Sequence, residues 1–190
     1  RVAGQVKFGV RKTGAEELMA GGDYAEDPQN GEAPHFPKVA KVSVVADGGT
    51  VKVGDIVVTA HYTPGHTPGA TTWTWRSCEK DRCLDVVYAD SITAFTNGVY
   101  RYSDPAHPER VSGFRKTFDI VAALPCDVLI TTHPDVTDFI NRAAAHRAGK
   151  QPDPMIDPIE AHISPIRPTS RSSAKLRLLP GCAGAVSTDI

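Results

Sequence analysis

From Val42 onward, apolar residues come in short β-branched runs: "VSVV", "TVKV", "IVVTAHY", "TTWTW" and "CLDVVYA". Runs of this length, split by "DGGT" and "VGD", predict successive antiparallel strands joined by tight turns. The period then changes. In "PERVSGFRKTFDIVAALP", Val111, Phe114, Phe118, Val121 and Ala122 fall on one helical face and Pro108 suits the first turn, which predicts an amphipathic helix covering the sheet. "CDVLITTHP" reads as a buried-type strand ending at His133, and "VTDFINRAAAHRAG" as a further helix stopped by Gly149. The first forty residues are rich in Gly, Pro, Asp and Glu, with one helix-compatible patch, "GAEELMAGG", so they predict mostly loop around a short helix, either mobile or lying over a site. After Lys150 the segment to Ile190 holds six prolines and no sustained period, which predicts irregular chain. The expected organisation is one α/β unit over residues 1–150, with its sheet core at about 42–134, followed by a Pro/Ser/Arg-rich tail over 151–190.

Composition narrows the partners. A chain of 190 residues is about one domain's worth. With 23% charged residues and a formal net charge of −1, it carries no broad basic field for nucleic acid or anionic lipid, so a small molecule is the expected partner. No apolar run approaches the roughly 20 residues needed to cross a bilayer, and "RVAGQVKFGV" lacks the apolar core of a signal peptide. Of the four cysteines, Cys78 and Cys83 in "SCEKDRC" look like a hairpin staple, and Cys126 and Cys182 are distant in sequence.

The candidate chemistry lies at strand ends. His66 sits in "TPGHTPG", where Pro64 and Pro68 restrict φ and Gly65 and Gly69 permit unusual backbone angles; such a loop can aim an imidazole outwards, or simply make a turn that contains histidine. His133 repeats the pattern, with Pro134 stopping its strand. Two imidazoles at the strand ends of one sheet suit a shared metal, because neutral imidazole is a preferred zinc ligand. In "YADSIT", Asp90, Ser91 and Thr93 reach a similar rim, where hydroxyls can hold a carboxylate or a bridging water, or close an Asx or Ser/Thr turn. His61 points by alternation to the same face as Thr63, as second shell or half-buried packing. His35, His107, His146 and His162 read as solvated surface groups, and Trp73 and Trp75 as sheet packing.

Taken in order, "HYTPGHTPGATTWTW", "VVYADSITA" and "ALPCDVLITTHP" resemble the C-terminal half of class B metallo-β-lactamases of the third subclass. The similarity runs from about Glu16 to Pro154 and is densest over residues 58–134. The resemblance implies an αββα sandwich with two zinc ions at the rim between its sheets, of which this chain would supply mainly the second αβ half. It implies that His66 serves the first zinc and His133 the second, and that Ser91 and Thr93 hold the carboxylate of a β-lactam. It also implies hydrolysis of the β-lactam amide by a zinc-held hydroxide. "CEKDRC" is similar to the hairpin disulfide of some members, Cys78 to Cys83, which suggests a periplasmic or secreted protein.

Two departures from the family pattern qualify these expectations. The His-x-His-x-Asp-His string that supplies the remaining ligands does not occur in the chain, and the residues after "DPMIDP" do not resemble the terminal helix whose cysteine pairs with the position of Cys126. Cys182 is a possible substitute partner. Without the first half of the sandwich, one face of the sheet would be uncovered and would invite self-association. Two alternatives stand beside the lactamase: a thioester or lactone hydrolase of the same fold, and a non-catalytic partial chain.

Overall fold

The computed structural model describes residues 8–32, 34–94 and 100–156. Two sheets form. β1 (Phe8–Val10) and β2 (Val42–Val44) pair in parallel, with Phe8 opposite Val42 and Val10 opposite Val44. The main sheet has the order β3 (Thr50–Val53), β4 (Ile56–Tyr62), β5 (Thr71–Glu79), β6 (Arg82–Ala89) and β7 (Val128–Thr131). Its first four strands form an antiparallel meander, as the turn signals predict, and β7 joins β6 in parallel.

That last pairing follows from connectivity. A parallel neighbour needs a long crossover, here the helix α2 (Glu109–Ala122) between β6 and β7. A shorter helix, α1 (Lys12–Ala20), precedes β2, and α3 (Phe139–Arg147) follows β7. Strands, helix, strand and helix therefore come in the expected order. β2 is the exception to the antiparallel reading: "VSVV" leaves the meander and pairs in parallel with β1, a segment that carries no strong strand pattern.

The core lies between α2 and one face of the main sheet. Alternation sends Val87 and Ala89 of β6 to the same side as Leu129 of β7, and Val87 pairs directly with Leu129. Ile92 and Cys126 complete this cluster, with Phe118 and Leu124 packed against it. Phe114 and Val121 of α2 are fully buried, whereas Ala122, expected on the same face, is exposed. Arg110 and Thr117 take buried positions that a purely apolar reading of the helix would not give them. Thr117 can be buried because its hydroxyl donates to the carbonyl of Pro64 at 2.7 Å. Pro108 sits at the N-cap, one position before the first turn.

Cys78 and Cys83 stand directly opposite each other at the β5–β6 hairpin and form a disulfide. β7 ends at Thr131, two residues short of the expected His133, because a turn closes there: Thr131 Oγ1 donates to the His133 carbonyl at 2.7 Å, and Val136 N–H does so at 3.0 Å. Residues 151–156 lie against α3, whose Arg142 donates to the carbonyls of Pro154 and Met155 at 2.7 and 3.0 Å. The expected tail from residue 157, with His162 and Cys182, lies outside the described residues.

Candidate metal and substrate rim

The loop carrying His66 is fixed from three sides. Its base is closed by Thr63 N–H donating to Ala70 O at 3.1 Å, with Gly65 N–H donating to Thr67 O inside it. From α2, Thr117 holds the Pro64 carbonyl. From the α1 side, Arg11 Nη1 and Thr13 Oγ1 both donate to the Pro68 carbonyl, at 3.1 and 3.0 Å. A loop clamped in this way has little conformational freedom left to lose when a ligand binds.

The two glycines serve this packing in a way the sequence pattern did not reveal. Neither Gly65 nor Gly69 has a positive φ. Each is small because another element passes against it: a Cβ on Gly65 would lie 2.5 Å from the ring of Phe114, and one on Gly69 would lie 2.6 Å from the backbone of Gly14. Close approach, not an unusual backbone angle, accounts for glycine at both positions.

His66 is oriented at both ring nitrogens. Nδ1 is 2.8 Å from the carbonyl oxygen of Thr93, and Nε2 is 3.0 Å from the amide oxygen Oε1 of Gln29. Nε2 faces a second acceptor oxygen, and a carbonyl only accepts, so Nδ1–H donates to Thr93. This is the arrangement by which a backbone carbonyl fixes the tautomer of a metal-ligating histidine. Tyr102 secures the backbone by donating from its hydroxyl to the His66 carbonyl at 3.0 Å, and burial pushes the Tyr102 hydroxyl pKa above its ordinary value.

The neighbouring strand ends come together as the sequence suggests. Asp90 accepts from Thr71 N–H at 3.0 Å and from Ser91 N–H at 2.7 Å, so its carboxylate closes the end of β6 and joins it to β5. Ser91 Oγ lies 2.9 Å from Thr132 Oγ1, which joins the end of β6 to the residue preceding His133. Thr93 contributes through its carbonyl, on His66. The His133 side chain, next in sequence to Thr132, is exposed.

The other histidines lie elsewhere. His61 bonds through Nε2 to Thr74 Oγ1 at 2.8 Å, and burial lowers its pKa, against an opposing pull from Asp47. His35 is exposed, His107 faces Glu109 and His146 faces Asp153.

Gln29 and Thr132 are site neighbours that the sequence reading missed. Gln29 sits in a loop with no periodic signal, and only the fold carries it across 37 residues of sequence to His66. A hint for Gln29 was available in "EDPQN", an Asx-turn string that fixes the next residues: Asp27 Oδ1 accepts from Gln29 N–H at 2.8 Å.

Among the described residues, no group of three or more His, Cys, Asp or Glu side chains could hold a metal ion. His66 is held at both ring nitrogens and the His133 side chain is exposed, and neither belongs to such a group. A complete centre is not formed by these residues, and no catalytic step is derived from one.

The sandwich half, the loop histidine and the paired strand ends define a class, the metallo-β-lactamase fold. The chain is similar to the Rm3 metallo-β-lactamase, with 38% identity and a TM-score of 0.75 over 80% of this chain and 57% of the other. It is similar to MEM-A1, a subclass B3 metallo-β-lactamase from a soil metagenome library, with 42% identity and a TM-score of 0.73 over 80% of this chain and 58% of the other. SMB-1, solved with 2-mercaptoethanesulfonate bound, shares 44% identity at a TM-score of 0.73 over 80% of this chain and 57% of its own. The chain belongs to the metallo-β-lactamase family, in subclass B3, and spans a little over half the length of these relatives. No family profile matches the sequence.

Proposed function

We propose that this chain carries part of the metal and substrate rim of a zinc-dependent β-lactam hydrolase. His66 would ligate the first zinc through Nε2 and His133 would serve the second, while Ser91 and Thr93 would hold the β-lactam carboxylate, directly or through water. Bound zinc would supply a hydroxide at neutral pH and an electrophile for the lactam. The chain's own contribution is positional: the Thr93 carbonyl sets the His66 tautomer, and the Ser91–Thr132 pair keeps a hydroxyl beside His133. The observation that carries the reading is the His66 ring, tied at Nδ1 to a backbone carbonyl in a chain 38–44% identical to named metallo-β-lactamases. The Cys78–Cys83 disulfide favours an oxidising compartment, the periplasm or the exterior.

A second reading, a partial chain with no turnover of its own, is favoured by the lack of a three-ligand group among the described residues. The two readings are compatible, since the chain can carry a substrate rim without a complete reactive centre.

The test titrates penicillin G into the zinc-loaded 190-residue protein and follows backbone amide shifts, with a thioester of similar size in parallel. Shifts centred on Ser91, Thr93 and Thr132, reduced in Ser91→Ala, are the expected result. Stronger shifts with the thioester would favour the other hydrolase class, and shifts remote from this rim would refute the substrate assignment.

A further inference from the structure

The two faces of the main sheet differ in chemistry. Directly paired residues share a face, so the register sets Ala60, Trp73, Tyr88 and Ile130 in one row across β4 to β7. Alternation puts Trp75 of β5 and Ile56 of β4 on that same face, and Ile56 stands opposite Val53 of β3. Apolar side chains thus face one way on all five strands. The charged positions that β5 and β6 give this face, Glu79 and Arg82, stand opposite each other at the hairpin tip. The reverse face carries Val87 and Leu129, packed against Phe118 of α2, and also Lys52, Arg76 and Asp85.

Burial follows the same division. Val87 and Leu129 are buried, whereas Trp73, Trp75 and Tyr88, on inner strands of the same sheet, are only partly covered, and Ile56 and Val53 are 40% and 62% exposed. Five strands about 4.8 Å apart, with rows spread over about 20 Å along them, give a plan area of roughly 500 Å². The accessible surface of protruding rings is larger than the plan, and so comes near the ~800 Å² that each partner buries in a standard interface. A face whose centre holds no charge gives no purchase to nucleic acid or lipid headgroups. Its complement is another apolar sheet, packed about 10 Å away.

We propose that this face is a self-association surface, on which a second copy of the chain seats the same face to make a two-sheet sandwich. The contact is isologous, so each copy supplies the apolar area that the other lacks. Neither His66 nor its ligands enter into it.

The experiment takes the 190-residue protein through a dilution series, followed by sedimentation velocity and tryptophan emission. Trp73 and Trp75 are the only tryptophans in the chain, so emission reports on this face. The expected result is a dimer whose emission moves to longer wavelength as it dissociates. Ile56→Lys, at a site exposed enough to carry the charge in the monomer, should raise the dimer dissociation constant about tenfold or more, because docking buries an unpaired ammonium. Val57→Lys, next along β4 on the reverse face and 51% exposed there, should leave the constant unchanged. Wild-type emission decides the matter even where Ile56→Lys fails to fold. A protein monomeric at every concentration would overturn the proposal. So would a dimer that dissociates without a change in emission, or one that withstands Ile56→Lys, since the copies would then meet elsewhere, as at the edge of β3.

Discussion

Phe114 of α2 occupies the space into which a side chain on Gly65 would project, with its Cδ1 2.5 Å from the position of that Cβ. The helix that covers the sheet thus also sets the height of the histidine loop. Gly65→Ala should force the fully buried ring of Phe114 aside, and overpacking of this kind costs about 1–3 kcal/mol. Thermal unfolding should show a fall in Tm of several degrees. An unchanged Tm would mean that the loop is not held against α2.

Gly69 meets backbone where Gly65 meets a side chain, since the Gly14 Cα and N would both lie 2.6 Å from its Cβ. Backbone cannot rotate away as a ring can. Gly69→Ala should therefore lower Tm by at least as much as Gly65→Ala, and should loosen the Arg11 and Thr13 contacts to Pro68. A Gly69→Ala protein more stable than Gly65→Ala would contradict this packing.

Glu17 on α1 is held mostly out of water near Asp27 and Asp90, and burial first, then these two carboxylates, pushes its pKa up to about 7. The folded state therefore binds a proton more tightly than the unfolded state does. The resulting stability is fully present below the ordinary carboxylate pKa and is lost as pH rises through about 7. Glu17→Gln should raise Tm relative to wild type at pH 8 and bring little or no gain at pH 4. An equal gain at both values would show that charge on Glu17 is not the cause.

The Cys78–Cys83 disulfide closes a short hairpin loop at the end of β5 and β6 remote from His66 and Ser91. For a loop this short, the chain-entropy account gives about 2 kcal/mol. The double variant Cys78→Ser, Cys83→Ser should melt at a lower temperature with its histidine ring resonances unchanged. Altered His66 resonances would show that the hairpin transmits to the rim.

Much of the architecture was legible because it follows from local periodicity. β4 to β6, α2 and β7 each carry apolar positions that packing partly buries, whereas β3 and α3 hold no buried residue and were legible from their turn and stop signals. The β1–β2 pairing was not legible, because a parallel pair between segments more than thirty residues apart leaves no local signature. His66 and Ser91 were singled out by their position at strand ends. The partners that decide what His66 can do, the Thr93 carbonyl and the Gln29 amide, are long-range: one is a backbone atom without sequence information, and the other lies in a loop without period. The glycines of "TPGHTPG" were recognised but misread, since close approach by Phe114 and Gly14 is a tertiary fact.

The most direct test of the rim assignment is a zinc titration of the 190-residue protein alongside His66→Ala and His133→Ala. The account predicts the largest loss of affinity in His66→Ala, whose ring is already oriented, and a smaller loss in His133→Ala, whose ring is exposed. Equal zinc affinity in all three proteins would contradict it.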